Sequence, residues 1–420
     1  MQNTRSKLEI KNNNLLQTDL TKVSNLDSLD WEAKDASTRY LTHSYHPYSA
    51  KYIPQIPHYL ISNFTKRNDL VLDNFLGSGT TLVESKILGR HAIGVDINPL
   101  ACLVAKVKTT NIQKPDLKKI LAICMSIKED ILKLRASPEY ANNDDNNNNK
   151  TSTFSLQGPE SINNNNDDDD YLLVNIPNPN ILKWFNKNVI YELLTIKSKI
   201  DSLEENHIRD FLLVAFSSIL RSSSNATSGF GNLMINKEPP RKGKIVEKFN
   251  RVTNIMVTKM EEFNQVTKNY STIRIFNHDT RNLEFIADDT VSFICTHPPY
   301  MASVPFAEYQ KLSLWWLGFS QKELENKLIG GRRARSDTAE RFFQDIFVTL
   351  TEMKRVLQKK KYCCIVIGNP VYNNREWQLN EMIKKNASDV GLTLLKEITR
   401  RKYRLTMGKM KREFILVFKN

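Results

Sequence analysis

A glycine turn and a following acid are the residues of this chain most clearly suited to binding a nucleoside. The turn is Gly77-Ser78-Gly79, and Asp96 ends the next apolar run. Glycine lets the backbone approach a ligand closely, because a Cβ at the turn would collide with it. An acid at a strand end can accept hydrogen bonds from ribose hydroxyls. Together they predict a site for a nucleoside cofactor, although the turn alone would also suit an ordinary tight loop.

The kind of cofactor follows from what the turn lacks. A phosphate-binding loop needs a lysine before its Ser or Thr, and Thr80-Thr81 has none. A dinucleotide fingerprint needs a third glycine, and Leu82 stands in its place. These differences favour a ribose cofactor without a pyrophosphate, and S-adenosylmethionine (SAM) fits.

A second set of residues suited to chemistry lies far downstream, at His297-Pro298-Pro299-Tyr300. Prolines cannot continue a central strand, so the pair makes a rigid ledge at the end of the apolar run 291–296. The Pro298 carbonyl and the side chain before it can accept both hydrogens of an exocyclic amine. Tyr300 can stack on the face of an extruded base. A strand stop beside a core tyrosine is the alternative interpretation.

Apolar strands and one helix must position these groups. The pattern predicts a strand at Leu70–Leu72, a helix from Thr81 to Leu88 closed by Gly89, and a strand ending at Asp96. Ligands of open α/β sheets bind at the carboxyl ends of such strands. The turn, the acid and the proline ledge are therefore expected at one edge of one sheet.

These motifs resemble those of the SAM-dependent amino-methyltransferases of DNA, which methylate cytosine N4 or adenine N6. The resemblance lies in residues 75–81 (FLGSGTT), 94–99 (GVDINP) and 298–300 (PPY). Residues 46–54 are similar to the family's His-Pro segment with its lysine, and residues 278–283 to its Gly-Asp segment. Residues 361–369 and 413–418 match later strands of the family.

The resemblance implies an α/β Rossmann-like methyltransferase fold, a doubly wound and mostly parallel sheet with a large, mainly helical insertion. It implies direct methyl transfer from SAM to a flipped base, without a metal. Four residues would act in catalysis: His297, Pro298, Pro299 and Tyr300. Ten would hold the cofactor: Lys51, Asp73, Phe75, Gly77, Ser78, Gly79, Thr80, Asp96, Ile97 and Asp279.

The chain departs from the family pattern at two positions. Asn74 replaces a proline, and His297 stands where the family carries Ser or Asp. A neutral imidazole has one acceptor nitrogen, which it loses on protonation. Because the side chain before the prolines is not Asp and Thr296 adds a hydroxyl, we expect cytosine N4 as the target. Adenine N6, an RNA substrate and an inactive SAM- and DNA-binding protein are the alternatives.

The spacing of the motifs predicts the domain organisation. Residues 1–40 form an N-terminal arm, 41–112 the SAM-binding half, and 273–420 the catalytic half. Residues 113–272 form a helical insertion and a candidate target-recognition region, interrupted at 141–170 by an Asn- and Asp-rich loop expected to be disordered. Beyond the proline ledge, residues 306–319 are expected to form one aromatic helix.

Basic residues supply candidate contacts to the phosphates of double-stranded DNA, since the chain carries a net charge of +14. The alternative for each is a solvated basic loop. The candidates are Arg221, Lys237, Arg241, Lys242, Lys244, Arg332, Arg333 and Arg335.

Cysteine usage and hydropathy indicate the setting of the protein. The five cysteines show neither paired nor Cys-x-x-Cys spacing, which argues against a disulfide framework and a zinc site. No signal peptide or membrane span is indicated, so a cytoplasmic, nucleoid-associated location is expected. A restriction endonuclease partner and a role in cell-cycle marking stay open, as does the oligomeric state.

Overall fold

The computed structural model describes residues 21–49, 51–137, 140, 175–227, 233–236, 244–267, 271–301, 305–330, 338–372, 375–401 and 412–420. The predicted disordered loop 141–170 and the first half of the arm, residues 1–20, lie outside them. Residues 21–40 contain a short 3-10 helix, Asn25–Ser28, and bury Leu26 and Trp31 in the core.

A seven-stranded sheet forms the centre of the fold. Its strands are β1 Leu70–Asp73, β2 His91–Asp96, β3 Ile273–Asn277, β4 Val291–Thr296, β5 Leu357–Gly368, β8 Thr393–Arg401 and β9 Arg412–Lys419, while β6 Val371–Tyr372 and β7 Arg375–Glu376 form a separate hairpin. The order in the sheet is β3-β2-β1-β4-β5-β9-β8. The pairs β1–β2, β2–β3, β1–β4 and β4–β5 are parallel, whereas β9 runs antiparallel to β5 and β8. This confirms the predicted mostly parallel, doubly wound sheet.

The central strands are apolar because they are covered on both faces. All six residues of β4 are buried, as are Val71, Leu72 and Asp73 of β1. Three helices accompany these strands: α1 Gln55–Phe64 precedes β1, α2 Thr80–Ile87 connects β1 to β2, and α3 Pro99–Thr109 follows β2. Gly89 follows α2 with a φ of +74°, the left-handed conformation expected of a residue that closes a helix.

Within the part of the insertion that the structure describes, four long helices lie between β2 and β3. They are α4 Lys114–Arg135, α5 Lys187–Asp201, α6 His207–Ser223 and α7 Ile245–Val266. Their apolar faces form one core with Trp184 and Trp316, both buried. Trp184 is therefore a core residue.

The segment after the proline ledge differs from the expectation of one helix over 306–319. It forms two short helices, α8 Phe306–Tyr309 and α9 Lys311–Trp316, followed by α10 Gln321–Lys327. The break lies at Gln310, whose backbone leaves the helical region and whose side-chain oxygen accepts a hydrogen bond from Asn98 at 2.7 Å. This contact ties the aromatic segment to the loop after β2.

Among the described residues of the catalytic half, two further helices follow, α11 Thr338–Val356 and α12 Leu379–Asp389. The strands predicted at 361–369 and 413–418 lie largely within β5 and β9. All five cysteines are free, buried thiols. Within the described ranges no helix is both long and apolar enough to cross a membrane.

Candidate active site at the carboxyl edge of the sheet

One cleft lies where β1, β2, β3 and β4 end, and it encloses about 960 Å³ with the open solvent at its mouth included. Because parallel strands end at the same edge, the glycine turn, the acid and the proline ledge meet there. Of the predicted cofactor and catalytic residues, those that line the cleft are Lys51, Phe75, Gly77, Ser78, Thr80, Asp96, Ile97, Asp279, His297, Pro298, Pro299 and Tyr300.

Asp96 is held at the cleft wall by two backbone amides. Gly77 N donates to one carboxylate oxygen at 2.7 Å, and Asn98 N donates to the other at 2.9 Å. Burial raises the pKa of Asp96 to about 6. The carboxylate is ionised at neutral pH and keeps lone pairs for hydroxyl donors.

Gly79 serves packing and does not line the cleft. It caps α2 with a φ of +77°, and a Cβ built there would lie 2.7 Å from Ala105 Cβ on α3. At Gly77, with a φ of +48°, a Cβ would meet Tyr48 at an ordinary 3.6 Å. The two glycines of the turn therefore have different surroundings, with Gly77 at the surface of the cleft and Gly79 between helices α2 and α3.

Asp73 is expected from the sequence among the residues that hold the cofactor. It lies instead beneath the turn, is only 1% exposed and does not line the cleft. Its carboxylate accepts hydrogen bonds from the hydroxyls of Thr81, at 2.6 Å, and Thr296, at 2.9 Å. These bonds join β1, α2 and β4. Burial raises the pKa of Asp73 to about 6.

The N-terminal segment that precedes α1 covers one side of the cleft. Lys51 lines the cleft and donates to the carbonyl of His43 at 2.9 Å. His43 and Tyr40 both contact the buried carboxylate of Glu84 on α2, at 2.7 and 2.6 Å. This acid clamps the segment onto the helix that follows the glycine turn.

Asp279 lies at the opposite side, just after β3. Its carboxylate bonds the guanidinium of Arg281, with a shortest distance of 2.6 Å. Burial opposes the charged form, but the hydrogen bonds from Arg281 outweigh it and lower the pKa of Asp279. Arg281 also pairs with Asp345 at 2.7 Å, so this acid is part of a rigid ion-pair group.

The polar atoms of the cleft fit a cofactor with several donors and acceptors. Ser78 Oγ and Asn74 Oδ1 are buried and make no hydrogen bond to any described residue. Both residues line the cleft beside Asp96. Buried polar groups are nearly always hydrogen-bonded, so these two atoms indicate that a polar ligand completes the site.

The proline ledge borders the cofactor side of the cleft. His297 Nε2 lies 2.6 Å from the hydroxyl of Tyr300, and the His297 ring meets the edge of Tyr52 with centroids 5.1 Å apart. Tyr300 is 8% exposed. The ring lines the cleft with a small exposed part, while its hydroxyl points into the protein.

Thr296 has a different role from the one expected. It is 1% exposed, and its hydroxyl donates to Asp73. It is therefore part of the support under the ledge and offers no hydroxyl to a target base.

The DNA-binding candidates are only partly described by the structure. Lys237, Arg241, Lys242, Arg332, Arg333 and Arg335 lie outside the described residues. Arg221 is half-buried near the end of α6, and Lys244 is exposed just before α7. One turn before Arg221, Ser217 bonds His46 at 2.9 Å, which connects α6 to the segment covering the cleft.

Sequence reasoning missed several cleft residues. Tyr48 and Tyr52 belong to the same segment as Lys51, residues 46–54, so their position at the cleft could have been inferred from that lysine. Residues 327–329 also line the cleft, and no sequence signal marks them. Arg400, which lies in a basic stretch of the sequence, is buried and paired with Glu413 at 2.7 Å.

The strand order and the cleft together define the fold of a SAM-dependent methyltransferase. Residues 3–107 match the family model described as DNA methylase (N6_N4_Mtase). The match confirms the predicted resemblance to SAM-dependent DNA amino-methyltransferases and, with the fold, the prediction of SAM as the cofactor.

Curated relatives agree with this relationship. The chain is 24% identical to Type II methyltransferase M.MjaII of Methanocaldococcus jannaschii, over 89% of this chain and 79% of that protein. It is 27% identical to Type II methyltransferase M.MvaI of Kocuria varians, over 71% of this chain and 63% of that protein. The chain thus spans slightly less than two thirds of M.MvaI.

Solved structures show a weaker likeness. A DNA modification methylase from Thermus thermophilus, complexed with SAM, is 18% identical and covers 34% of this chain and 53% of its own, with a TM-score of 0.23. A SAM-dependent methyltransferase from Methanosarcina mazei is 9% identical over 86% of this chain and 96% of its own, with a TM-score of 0.32. The fold assignment rests on the strand order and not on these scores.

Proposed function

We propose that the chain methylates the exocyclic amine of a base flipped out of double-stranded DNA, with cytosine N4 as the favoured target. One observation carries the proposal: Asp96, on the cofactor side, and the ledge from His297 to Tyr300 line the same cleft. A cofactor bound at the first would face a base held at the second. Base flipping is needed because the amine of a paired base cannot reach such a cleft.

The cofactor would be held by the groups described above. Asp96 would accept from the ribose hydroxyls, Phe75 and Ile97 would contact the adenine, and Asp279 would lie near its edge. Lys51, Ser78 and Thr80 would face the remaining polar part of the molecule. When bound, SAM supplies an electrophilic methyl group, so no nucleophile from the protein is required.

The residues of the ledge would orient the target amine and take its proton. The Pro298 carbonyl and an unprotonated nitrogen of His297 each accept one amino hydrogen, which leaves the nitrogen lone pair directed at the cofactor. Methylation makes the amine more acidic, and the proton passes to His297. Proximity and orientation account for most of the acceleration.

The choice of cytosine over adenine rests on His297. The side chain before the prolines is not the Asp most associated with adenine, whereas Thr296 no longer supports the choice because its hydroxyl is committed to Asp73. Adenine N6 methylation is the alternative within the same cleft.

Mass spectrometry of nucleosides tests the function and the base together. Mixed-sequence duplex DNA is incubated with the protein and SAM and then digested. N4-methylcytosine above a no-enzyme control is the expected product. N6-methyladenine in its place would show that the target base is adenine and not cytosine. If neither forms while calorimetry shows that SAM binds, structured RNA is the next substrate. A blank there would favour an inactive SAM-binding protein.

Several relatives are named Type II methyltransferases, which supports a role in restriction–modification with an endonuclease partner. A DNA substrate would place the protein with the nucleoid in the cytoplasm. The insertion, residues 113–272, would then contribute target recognition, with Arg221 and Lys244 on phosphates. Affinity for DNA should fall steeply with salt. Cell-cycle marking is the alternative role, expected where no endonuclease cleaves the unmethylated site.

A further inference from the structure

A chain of hydrogen bonds joins His297 to two buried charged residues on the last strands. His297 Nε2 lies 2.6 Å from the Tyr300 hydroxyl, which donates to Glu413 Oε1 at 3.3 Å. The other oxygen of Glu413 accepts from Arg400 Nη1 at 2.7 Å. Arg400 on β8 and Glu413 on β9 have side chains only 8% and 5% exposed, and neither lines the cleft.

The chemistry of these groups determines which partner donates in each of these hydrogen bonds. A guanidinium only donates, and a carboxylate paired with it only accepts. Burial holds the pKa of Tyr300 well above its ordinary value, so the phenol keeps its proton. That proton goes to Glu413, and the phenol oxygen must then accept from His297. When the His297 ring is neutral, it consequently carries its proton on Nε2, which leaves Nδ1 unprotonated.

We propose that Glu413, fixed by Arg400, is a positioning residue that orders His297 as the Nε2–H tautomer through Tyr300. The inference deepens the proposed function, in which an unprotonated nitrogen of His297 takes the proton of the target amine. It also gives a reason for a histidine before the prolines: the tautomer suited to accepting a proton is set from the interior of the protein.

Glu413→Gln is the sharpest test, because it should reverse the direction of the hydrogen bonds while the side chain at this position keeps nearly the same size. Arg400 requires the amide oxygen, so the amide nitrogen turns toward Tyr300 and donates to its hydroxyl. Tyr300 then donates to His297 Nε2, and the ring proton moves to Nδ1. Tyr300→Phe removes the link and should give a mixture of tautomers.

Long-range proton–nitrogen NMR spectra of protein carrying nitrogen-15 histidine read the tautomer directly. His297→Ser identifies the signals of His297 by their loss. The expected result is Nε2–H in the natural protein, Nδ1–H in Glu413→Gln and a mixture in Tyr300→Phe. An Nδ1–H form in the natural protein, or an unchanged tautomer in both variants, would overturn the proposal.

Glu192 offers a matched control. Like Glu413 it is a buried carboxylate that binds one arginine and one tyrosine, with Arg135 at 2.9 Å and Tyr140 at 2.8 Å. Glu192→Gln should lower the thermal stability in the same way and leave the tautomer of His297 unchanged. A shift of the His297 signals in this variant as well would show a general effect of losing a buried charge, and would count against the proposal.

Activity separates this inference from the proposed function. If both hold, Glu413→Gln slows single-turnover methylation about tenfold and changes the Kd for SAM by less than about twofold. If the natural protein shows the Nε2–H tautomer but methylates neither DNA nor RNA, the proposed function fails and the positioning role stands. If the variant methylates DNA more slowly with no change of tautomer, the positioning role fails and the proposed function stands.

Discussion

The backbone amide of Gly77 donates a hydrogen bond of 2.7 Å to the carboxylate of Asp96, across 19 positions of sequence. This bond joins the turn after β1 to the end of β2, so the two halves of the predicted nucleoside site hold each other in place. Loss of the Asp96 carboxylate should therefore remove the proposed contact to the cofactor and also loosen the turn that lines the cleft.

Asp96→Ala should weaken SAM binding about 100-fold, the loss expected when hydrogen bonds to a charged group disappear. Asp96→Asn keeps one acceptor oxygen and should fall between the alanine variant and the natural protein. Isothermal titration calorimetry measures both, with Asp389→Asn, an exposed acid at the end of α12, as the control. An unchanged Kd for SAM in Asp96→Ala would remove the cofactor assignment.

Asp73 should make the folded state less stable as the pH rises. Its folded pKa is about 6, above the ordinary value of 3.8, so the folded protein binds this proton more tightly than the unfolded chain does. The resulting stabilisation is complete below about pH 4 and is lost as the pH rises through 6. It amounts to about 3 kcal/mol.

The comparison of the natural protein with Asp73→Asn isolates this effect. Urea unfolding between pH 4 and 7 should show the free energy of unfolding of the natural protein declining relative to that of the variant. A constant difference across this range would mean that Asp73 titrates normally.

The cofactor side of the site could be predicted from sequence because its groups lie close together along the chain. Gly77, Asp96 and Lys51 belong to one β-α-β segment and the stretch before it, and the structure places all three at the cleft. The residues that the structure separates from the cleft are Asp73 and Gly79. Both share the motif with true cleft residues, and only the packing of α2, α3 and β4 reveals their structural roles.

Contacts between distant parts of the chain could not be predicted. Glu413 reaches Tyr300 across 113 positions, and Asn98 reaches Gln310 across 212. Such pairs depend on the strand order, in which β9 lies next to β5, and no local pattern encodes them. An acid in an otherwise apolar strand was the one available signal for Glu413.

Gly79→Ala should destabilise the fold by about 3 kcal/mol, because its Cβ collides with Ala105 and its φ is positive. Gly77→Ala, which meets Tyr48 at 3.6 Å, should cost less. Denaturant unfolding measures both. The double variant Gly79→Ala/Ala105→Gly relieves the collision with the Ala105 methyl, so the two substitutions should be less harmful together than the sum of their separate effects. Strict additivity would show that helix packing is not the reason for this glycine.

His297→Ser should slow methyl transfer at least about 100-fold, the typical contribution of a positioned proton acceptor. The Kd for SAM should stay within about twofold of the natural value, since His297 is not among the residues proposed to hold the cofactor. Single-turnover methylation measures the rate. His91→Ser is the matched control, because His91 lies at the opposite, amino end of β2 and bonds Thr272 N at 2.9 Å. Serine is also one of the two residues, Ser or Asp, that the family carries before its prolines. A gain of activity in His297→Ser would therefore show that the histidine marks a decayed site, whereas a loss shows that it works in the reaction.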